Sequence, residues 1–450
     1  MRSDLLYAEI AFSLIYCTVS RYHSYLNSSK EILHQYKGTE PFGAFLKKFF
    51  SQQKKYGSKD RKQIAHLCYC YFRLGKSLPK IDMGERILTA LFLCSPEPND
   101  ILADLKPEWN AITHLTINEK IRSLPTAYSE LQTQIFPWSE ALSEGINLES
   151  FNHSFLIQPN LFLRIRPGNE EIVTRKLHDS GYEEVVGPVP RSFSEGGSLE
   201  SFGRRRLAEG AAGVGSQATN KWFRLIGANC IALPNGSKVE DIIELDKEAV
   251  VQDYSSQRIA EFIEMVRPPQ SDHFEIWDCC AASGGKSILA KDVIGDIDLT
   301  VSDVRETILM NLQRRFEKAG IKKYQSFVSD LAKEVFELNA SNYRLILCDV
   351  PCTGSGTWSR TPEQLFYFKP SEIEKYNLLQ RRIVRNVIHG LIPGGHFLYI
   401  TCSVFKKENE EMIAYIKEKF HLKLVKMELL KGYDQQADTL FAALFIASEV

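Results

Sequence analysis

The sequence lacks the features that mark several classes of protein. It has ten cysteines in 450 residues but no Cys-x-x-Cys pair, which argues against a structural zinc site. An apolar stretch at residues 5–20 contains Glu9 and is shorter than the roughly 20 apolar residues of a membrane span. It predicts an amphipathic helix instead. No signal peptide is recognisable, so we expect a cytoplasmic protein with reduced thiols.

An excess of either charge is also absent. The 55 Lys and Arg and 56 Asp and Glu residues give a net charge of −1, which neither favours nor excludes a nucleic-acid partner. Residues 47–63 form a local basic run, with seven Lys or Arg against one Asp and with aromatics interleaved. Such a run is typical of a solvated helix face or of an RNA contact, and the pattern leaves both open.

The character of the sequence changes along the chain, and the length predicts two or three domains. Helical periodicity dominates residues 1–150. Residues 151–250 combine strand and helix signals and predict a small α/β domain. They contain a Gly/Ser/Arg-rich segment at 191–219, with six Gly, five Ser and three consecutive Arg, which predicts a flexible insert extending to about residue 225.

Residues 251–450 alternate between apolar strands and helices. This alternation predicts a doubly wound, mostly parallel α/β sheet, whose ligands bind beyond the carboxyl ends of the strands. The seven predicted strands lie at 275–280, 297–303, 324–330, 343–351, 396–403, 422–430 and 439–447. A long helix is predicted between the fourth and fifth strands, ending at Pro393.

Acidic residues and small residues collect at the ends of the first four of these strands. The first strand leads into "DCCAASGGKS", and the next three end at Asp303, Asp330 and Asp349. An acidic residue after the second strand suits the hydroxyl groups of a ribose. The G-x-G-x-x-G fingerprint of dinucleotide binding and the phosphate-binding P-loop pattern are both absent. Carboxylates repel a pyrophosphate but tolerate a cationic sulfonium. The crevice therefore favours S-adenosylmethionine over a dinucleotide.

Two cysteines follow the fourth and fifth strands, and their chemistry suits one reaction. Cys352 lies beyond Asp349, and Cys402 ends "YITC". A thiolate that adds to carbon 6 of cytosine makes carbon 5 nucleophilic towards a methyl donor, and a base must then remove the hydrogen from carbon 5. A carboxyl group near N3 stabilises charge that develops on the ring. An exocyclic-amine methyltransferase would instead carry an aromatic clamp at the fourth strand.

At these residues the chain resembles the Sun family of RNA (cytosine-5)-methyltransferases, and within it the bacterial ribosomal-RNA enzymes. The resemblance rests on "DCCAASGGKS", "DVPCTGSGT" and "YITCSVFKKENE", supported by "VVQDYSSQ" and "ADTLFAALF", and it covers about residues 150–450. It implies a Rossmann-like class I methyltransferase domain at 251–450. Residues 1–150 weakly resemble a NusB-like helical domain, mainly at "YGSKDRKQIAHLCYCYFRL".

The resemblance also implies roles for individual residues. Cys402 is the expected nucleophile, Cys352 the expected release base, and Asp349 the group that orients and protonates the cytosine. The expected cofactor-binding residues are Cys280, Ala281, Ala282, Ser283, Gly284, Gly285 and Lys286 for the methionine part, Asp303 for the ribose, and Asp330 near the adenine. Lys286 is expected to contact Asp349, which therefore also borders the cofactor.

Two residues depart from the family pattern. Ser283 replaces the usual proline and is expected to loosen the cofactor loop. Arg305 replaces a frequent acidic residue, and we expect it to face solvent.

The implied partner is RNA, with 16S ribosomal RNA as the expected substrate and S-adenosylmethionine as the methyl donor. No metal, membrane or obligate protein partner is expected. Alternatives are a transfer-RNA cytosine-5 methyltransferase and a non-catalytic RNA-binding assembly factor. The presence of Cys352, Cys402 and Asp349 together argues against the latter.

Overall fold

The computed structural model describes residues 20–125, 128, 134–187, 221–268, 274–333 and 343–449. It forms two compact units, residues 1–134 and 135–450. The helix predicted at 5–20, apart from Ser20, and the triple arginine of the predicted insert lie outside the described residues. The domain boundaries predicted at 150 and 250 stay predictions. No helix in the described ranges combines the length and apolar character that crossing a bilayer requires.

The first unit is helical. Apolar residues three and four positions apart, such as Phe42, Leu46 and Phe49, are buried along one helix face. The described helices are α1 (Arg21–Gln35), α2 (Phe42–Gln52), α3 (Ser58–Arg73), α4 (Met83–Cys94), α5 (Asp100–Leu105), α6 (Pro107–Asn110) and α7 (Ile117–Ser123). α3 starts within the predicted turn at 57–60, where the Asp60 carboxylate accepts a hydrogen bond from the Gly57 backbone N–H at 2.9 Å.

The second unit begins with helix α8 (Leu148–Phe155) and a five-stranded sheet in the order β2-β3-β4-β1-β5. β1 pairs in antiparallel fashion with both β4 and β5. The elements are β1 (Leu161–Ile165), α9 (Glu170–Asp179), β2 (Glu183–Glu184), β3 (Trp222–Ile226), β4 (Cys230–Leu233) and β5 (Ala249–Val251). The chain beyond 220 is thus already in strand before the approximate end of the predicted insert.

A seven-stranded sheet in the order β11-β12-β10-β9-β6-β7-β8 follows. All its pairings are parallel except those of β12. Its strands are β6 (Glu275–Asp278), β7 (Asp298–Asp303), β8 (Gln325–Val328), β9 (Tyr343–Asp349), β10 (Leu391–Thr401), β11 (Lys423–Leu430) and β12 (Leu440–Ile446). The prediction of a doubly wound, mostly parallel sheet is confirmed.

Helices cover both faces of this sheet because neighbouring strand residues point to opposite sides. Ile276 and Leu345 pack on one face with α11, α12 and α13, while Trp277 and Ile346 pack on the other with α15 and α16. The helices of this region are α10 (Tyr254–Gln257), α11 (Ala260–Ile263), α12 (Gly285–Ile294), α13 (Glu306–Ala319), α14 (Pro362–Tyr367), α15 (Ser371–Val387) and α16 (Glu410–Phe420).

One predicted boundary was wrong. The sequence predicted a helix continuing to Pro393, but α15 ends at Val387 and β10 already begins at Leu391. Leu391 pairs with Tyr343 of β9, and the register then shifts before the next pair, His396 with Leu345. A register shift of this kind accommodates a proline inside a strand, because the extra residues leave the regular ladder.

A buried cluster of charges joins the small sheet to the large one. The Asp292 carboxylate on α12 accepts hydrogen bonds from Arg164 Nη1 at 2.6 Å and from Arg166 Nη2 at 2.7 Å. The Arg164 and Asp292 side chains are 3% and 7% exposed. Removing the carboxylate would leave two guanidinium groups without their counter-ion in a desolvated position, which is strongly unfavourable.

We therefore expect Asp292→Asn to lower the free energy of unfolding by about 3–5 kcal/mol, the usual effect of breaking a buried ion pair. Urea denaturation followed by circular dichroism measures it. Asp296→Asn is the matched control, since that carboxylate is 82% exposed and lies 3.8 Å from Lys291 Nζ. The control should change stability by less than about 0.5 kcal/mol. An Asp292→Asn effect as small as the control's would contradict the expectation.

Candidate active site

The parallel pairing of β9 and β10 brings the two cysteine loops together. Asp349 at the end of β9 is in register with Ile400 of β10. Both strands then run into loops at the same edge, and the Cys352 and Cys402 sulfurs lie 3.2 Å apart. Both side chains are half-buried. The fourth and fifth predicted strands are thus neighbours, and the two predicted catalytic thiols are in direct contact.

A tight backbone contact holds the cysteine loops. The Gly356 N–H donates to the Cys402 carbonyl oxygen at 2.8 Å, and the Gly356 carbonyl oxygen accepts from the Thr439 N–H at 2.9 Å. A Cβ atom at position 356 would lie 1.9 Å from the Thr439 carbonyl oxygen. Only glycine permits this approach, so the second glycine of "TGSGT" is required by packing.

The contact between the thiols affects the ionisation of Cys352. The hydrogen bond with Cys402, burial and the nearby Cys402 charge raise the pKa of the Cys352 thiol well above its ordinary value. Cys352 therefore favours the neutral thiol form while it lies against the Cys402 sulfur.

A lysine and a carboxylate lie beside the cysteines. Lys286 Nζ donates to Asp349 Oδ2 at 2.6 Å, with side-chain exposures of 14% and 28%. Burial alone would lower the pKa of Lys286, but Asp349 and the nearby Cys402 outweigh it and raise the pKa above its ordinary value. The predicted contact between Lys286 and Asp349 is present. It connects the loop after β6 to the loop that contains Cys352.

The loop after β6 contains the seven residues predicted for the methionine part of the cofactor, Cys280, Ala281, Ala282, Ser283, Gly284, Gly285 and Lys286. It enters α12 through two residues with positive φ, Ala282 at 46° and Gly284 at 82°. A Cβ on Gly284 would lie 2.6 Å from the Phe316 ring, so the loop is packed closely onto α13. Positive φ at a residue other than glycine is unfavourable, so the packing around Ala282 must hold the loop in this conformation.

Asp303 fixes this loop from the neighbouring strand, but it also has an unexpected partner. Its Oδ2 accepts from the Ala282 N–H at 3.0 Å. The Arg305 guanidinium turns back onto the same carboxylate, with Nε 3.0 Å from Oδ1 and Nη2 3.3 Å from Oδ2. Arg305 is exposed as expected, with 59% of its side chain accessible to solvent, but its ion pair with the buried Asp303 carboxylate was not predicted.

The loosening of the loop expected from Ser283 stays a prediction, but the residue has a partner that the sequence did not indicate. Arg315 Nη1 donates to the Ser283 hydroxyl at 2.9 Å and to its carbonyl oxygen at 3.0 Å. The same guanidinium bonds Asp246 at 2.7 Å. The hydroxyl thus provides an attachment that proline could not offer, and the loop is tied to α13.

Asp330 lies just beyond β8, next to β7 in the sheet. The Ser329 N–H donates to the Asp303 carbonyl oxygen at 3.2 Å, so the ends of the second and third strands adjoin. The Asp330 carboxylate is bonded by Lys333 Nζ and by the Ala332 N–H, and the first of these lowers its pKa most. Its contacts in the structure are thus with its own loop.

Sequence reasoning passed over Asp278, the first residue of "DCCAASGGKS". The Ser287 hydroxyl donates to its Oδ2 at 2.6 Å, whereas its buried Oδ1 has no hydrogen-bond partner among the described residues. Burial raises the pKa of Asp278 to about 7. An unsatisfied carboxyl oxygen beside Asp303 and Asp349 fits a ligand that carries positive charge and N–H donors. S-adenosylmethionine has both in its sulfonium and amino groups.

Arg360, on the loop after Cys352, also escaped prediction. Its Nε donates to Asp438 at 2.9 Å, its Nη1 to the Asn160 carbonyl oxygen at 2.9 Å, and its Nη2 to Asp253. These partners come from the last strand region, the segment before β1 and the segment before α10. Only tertiary structure brings them together, so the short sequence "WSRTPE" gave no signal.

Comparison with known proteins agrees with the fold and the motifs. Residues 264–444 match the family described as 16S rRNA methyltransferase RsmB/F. Ribosomal RNA small subunit methyltransferase B of Shewanella oneidensis is 31% identical over 170 residues, which is 38% of this chain and 38% of that protein. The probable ribosomal RNA small subunit methyltransferase B of Bacillus subtilis is 27% identical over 207 residues, 43% of this chain and 45% of that protein.

The match to these curated relatives spans less than half of their length. The crystal structure of PH0851 resembles the fold over a greater length. It has a TM-score of 0.61, covers 90% of this chain and 94% of that chain, and is 16% identical, so the likeness concerns the fold alone. Taken with the strand order and the paired cysteine loops, the match shows that residues 264–444 are similar to the methyltransferase domain of the RsmB/F group.

Proposed function

We propose that this protein methylates carbon 5 of a cytosine in RNA, with 16S ribosomal RNA as the substrate and S-adenosylmethionine as the methyl donor. The observation that carries the proposal is the 3.2 Å contact between the Cys352 and Cys402 sulfurs beside the Lys286–Asp349 ion pair. Methylation of an amine or an oxygen needs no cysteine nucleophile, whereas carbon 5 of cytosine needs one thiol for attack and a base for release.

Cys402 is the proposed nucleophile. Its sulfur forms a bond to carbon 6 of the cytosine, and the electron pair of the C5–C6 double bond becomes available at carbon 5. When bound, S-adenosylmethionine supplies the methyl group that carbon 5 takes. Cys352 is the proposed release base: after the half-buried thiol has given its own proton to solvent, its thiolate takes the hydrogen of carbon 5 as a proton. The electron pair of that C–H bond restores the C5–C6 double bond, and Cys402 leaves carbon 6 as a thiolate.

Attack by Cys402 changes the surroundings of Cys352. Once the Cys402 sulfur is bonded to carbon 6, it carries no charge and is a weaker hydrogen-bond partner. Two causes of the raised pKa of Cys352 are then lost, so Cys352 gives up its proton more readily at the stage when a base is needed. The two thiols thereby act in succession rather than in competition.

Asp349 is proposed to orient the cytosine through N3 and to protonate it as negative charge develops on the ring, passing on a proton that the Lys286 ammonium supplies. Its Oδ2 is held by Lys286, which leaves Oδ1 for the base. Lys286 keeps this carboxylate in place, and its positive charge lies near the Cys402 sulfur.

The proposed cofactor residues are those of the loop from Cys280 to Lys286, with Asp303 for the ribose and Asp330 near the adenine. Three carboxyl groups support this assignment. Asp278, Asp303 and Asp330 lie at or just beyond the ends of the adjacent strands β6, β7 and β8, and such groups suit a cationic ligand with hydroxyl groups. Backbone N–H groups at the start of α12 remain available for the methionine carboxylate.

RNA is the proposed partner because an unstacked base in a loop or bulge can enter the crevice. The basic run at 47–63 is a proposed contact for that RNA. A cytoplasmic location accords with this substrate.

One test of the proposed function concerns the release step. Cys352→Ala should still allow Cys402 to attack, but the adduct cannot collapse without its base. We expect a protein–RNA complex that survives denaturation when the variant is incubated with S-adenosylmethionine and unmodified ribosomal RNA. Denaturing gel electrophoresis with labelled RNA measures it.

Three controls sharpen this test. Cys352→Ala combined with Cys402→Ala should give no adduct, and neither should Cys230→Ala, which changes a buried cysteine of the small sheet. Unmodified transfer RNA in place of ribosomal RNA distinguishes the two RNA classes. If the folded, cofactor-binding variant forms an adduct with neither RNA, the proposed function is wrong.

Another prediction concerns the competition between Arg305 and the cofactor ribose for Asp303. The carboxylate of Asp303 has about four acceptor positions, and the Ala282 and Arg305 groups occupy them with four hydrogen bonds. Ribose hydroxyls must displace the guanidinium before they bind. Because a solvent-exposed ion pair is worth about 0.2–1 kcal/mol, Arg305→Gln should bind S-adenosylmethionine roughly 2- to 5-fold more tightly. Isothermal titration calorimetry measures the affinity.

Arg314→Gln is the matched control, because this exposed arginine lies on α13, the helix that follows Arg305, and bonds Asn311. It should leave the affinity unchanged. Asp303→Ala should weaken binding by at least about tenfold, the usual effect of losing charge-assisted hydrogen bonds. Arg305→Gln with unchanged or weaker affinity would show that the guanidinium assists the ligand instead of competing with it.

A further inference from the structure

A buried carboxylate lies beneath the two cysteine loops. Glu408 is fully buried and lies in the motif "YITCSVFKKENE". The chemistry proposed above gives Glu408 no role. Its carboxylate accepts four hydrogen bonds. Oε1 accepts from the Thr353 N–H at 3.0 Å and from Gln380 Nε2 at 2.9 Å, and Oε2 accepts from the hydroxyls of Thr353 and Ser403.

Two of these donors are adjacent in sequence to the thiols. Thr353 directly follows Cys352, and Ser403 directly follows Cys402. The same oxygen, Oε2, holds both hydroxyls, and these hydroxyl oxygens are themselves 3.2 Å apart. One carboxylate therefore fixes the chain immediately after each cysteine, on two loops that are 50 residues apart in sequence.

Burying a charged carboxylate at position 408 is unfavourable, and its hydrogen-bond donors compensate for this. Burial raises the pKa of Glu408, while the hydrogen bonds from Ser403, Thr353 and Gln380 oppose that shift. A buried carboxylate with four donors is rigid, since any movement would break charge-assisted hydrogen bonds in a site without water to replace them. The Tyr399 hydroxyl adds a further restraint by donating to the Glu408 carbonyl oxygen at 2.8 Å.

We propose that Glu408 is a positioning residue that holds the Cys352 and Cys402 thiols in register for successive attack and release. Its part in turnover rests on the proposed function, but its control of the distance between the sulfurs does not. Glu408 acts through Thr353 on one side and Ser403 on the other. Its side-chain hydrogen bonds within the described residues go to the two cysteine loops and to α15, so its loss should affect thiol geometry and leave cofactor binding unchanged.

Oxidation with diamide tests the geometry without any RNA. Diamide takes two electrons and two protons from a pair of thiols, so that the disulfide forms while diamide is reduced to its hydrazine. We expect Cys352 and Cys402 of the unaltered protein to form a disulfide readily. In Glu408→Gln it should form about tenfold more slowly, because small misplacements of reacting atoms have effects of this order. Mass spectrometry of the linked peptide measures the rate.

Turnover provides the second measurement. In Glu408→Gln, kcat should fall about 10- to 100-fold, with no change in the dissociation constant for S-adenosylmethionine. When Glu408→Gln is combined with Cys352→Ala, adduct formation should also slow, which reports the Cys402 side separately from release. Glu411→Gln is the matched control, since it makes the same chemical change at an exposed position on α16 and should behave as the unaltered protein.

Thr353→Val keeps the test decisive if Glu408→Gln does not fold. This variant conserves shape and removes only the hydroxyl donor on the Cys352 side. It should slow disulfide formation and release but have little effect on adduct formation by Cys402. Folded variants at both positions that form the disulfide at the unaltered rate would overturn the proposal. Absence of RNA methylation by the unaltered protein would instead overturn the proposed function, and the diamide result would still stand.

Discussion

The architecture of the site depends on the parallel hydrogen bonding between β9 and β10. Parallel strands end at the same edge of a sheet, so loops that are distant in sequence become neighbours there. The pairing of Asp349 with Ile400 fixes where each strand stops, and the loops beyond bring Cys352 and Cys402 into contact. A shift of one residue would reverse the faces of the side chains and separate the sulfurs.

Around this edge the protein holds several ionised groups out of water, and each has a partner of opposite charge or a set of hydrogen-bond donors. Lys286 neutralises Asp349, whereas Glu408 relies on neutral donors from three segments. Such groups contribute little net stability compared with apolar residues of the same size, but their hydrogen bonds fix the orientation of neighbouring side chains. A reaction in which two sulfurs act on adjacent ring atoms depends on that orientation more than on added stability.

Much of this could be predicted from sequence because it depends on local patterns. Apolar runs marked all seven strands of the large sheet, and motifs marked the cofactor loop and both cysteines. The end of α15 could not be predicted, because the strand pairing of Leu391 overrides the helical pattern that precedes it. The pairing of the exposed Arg305 with Asp303 could not be predicted either, since it depends on the backbone turn between the two residues.

Glu408 and Arg360 show a second limit of sequence reasoning. Glu408 stands in "KKENEE", a run so highly charged that it is typical of an exposed helix start, and nothing local indicates burial. Arg360 depends on partners that are distant in sequence. Polar contacts between residues that are distant in sequence give no repeating sequence pattern. The residues that organise the site were therefore harder to predict than those proposed to react.

The contacts of Arg360 also bear on how this domain can be produced and recombined. The matched family segment begins at residue 264, but Arg360 inside it is neutralised partly by Asp253 and bonds the carbonyl of Asn160, both of which precede that segment. An excised fragment would lack these partners and leave a guanidinium poorly compensated next to the Cys352 loop. Modular exchange between relatives should therefore move residues from 135 onwards as one piece, because the sequence boundary of the family is not a physical boundary of the folded unit.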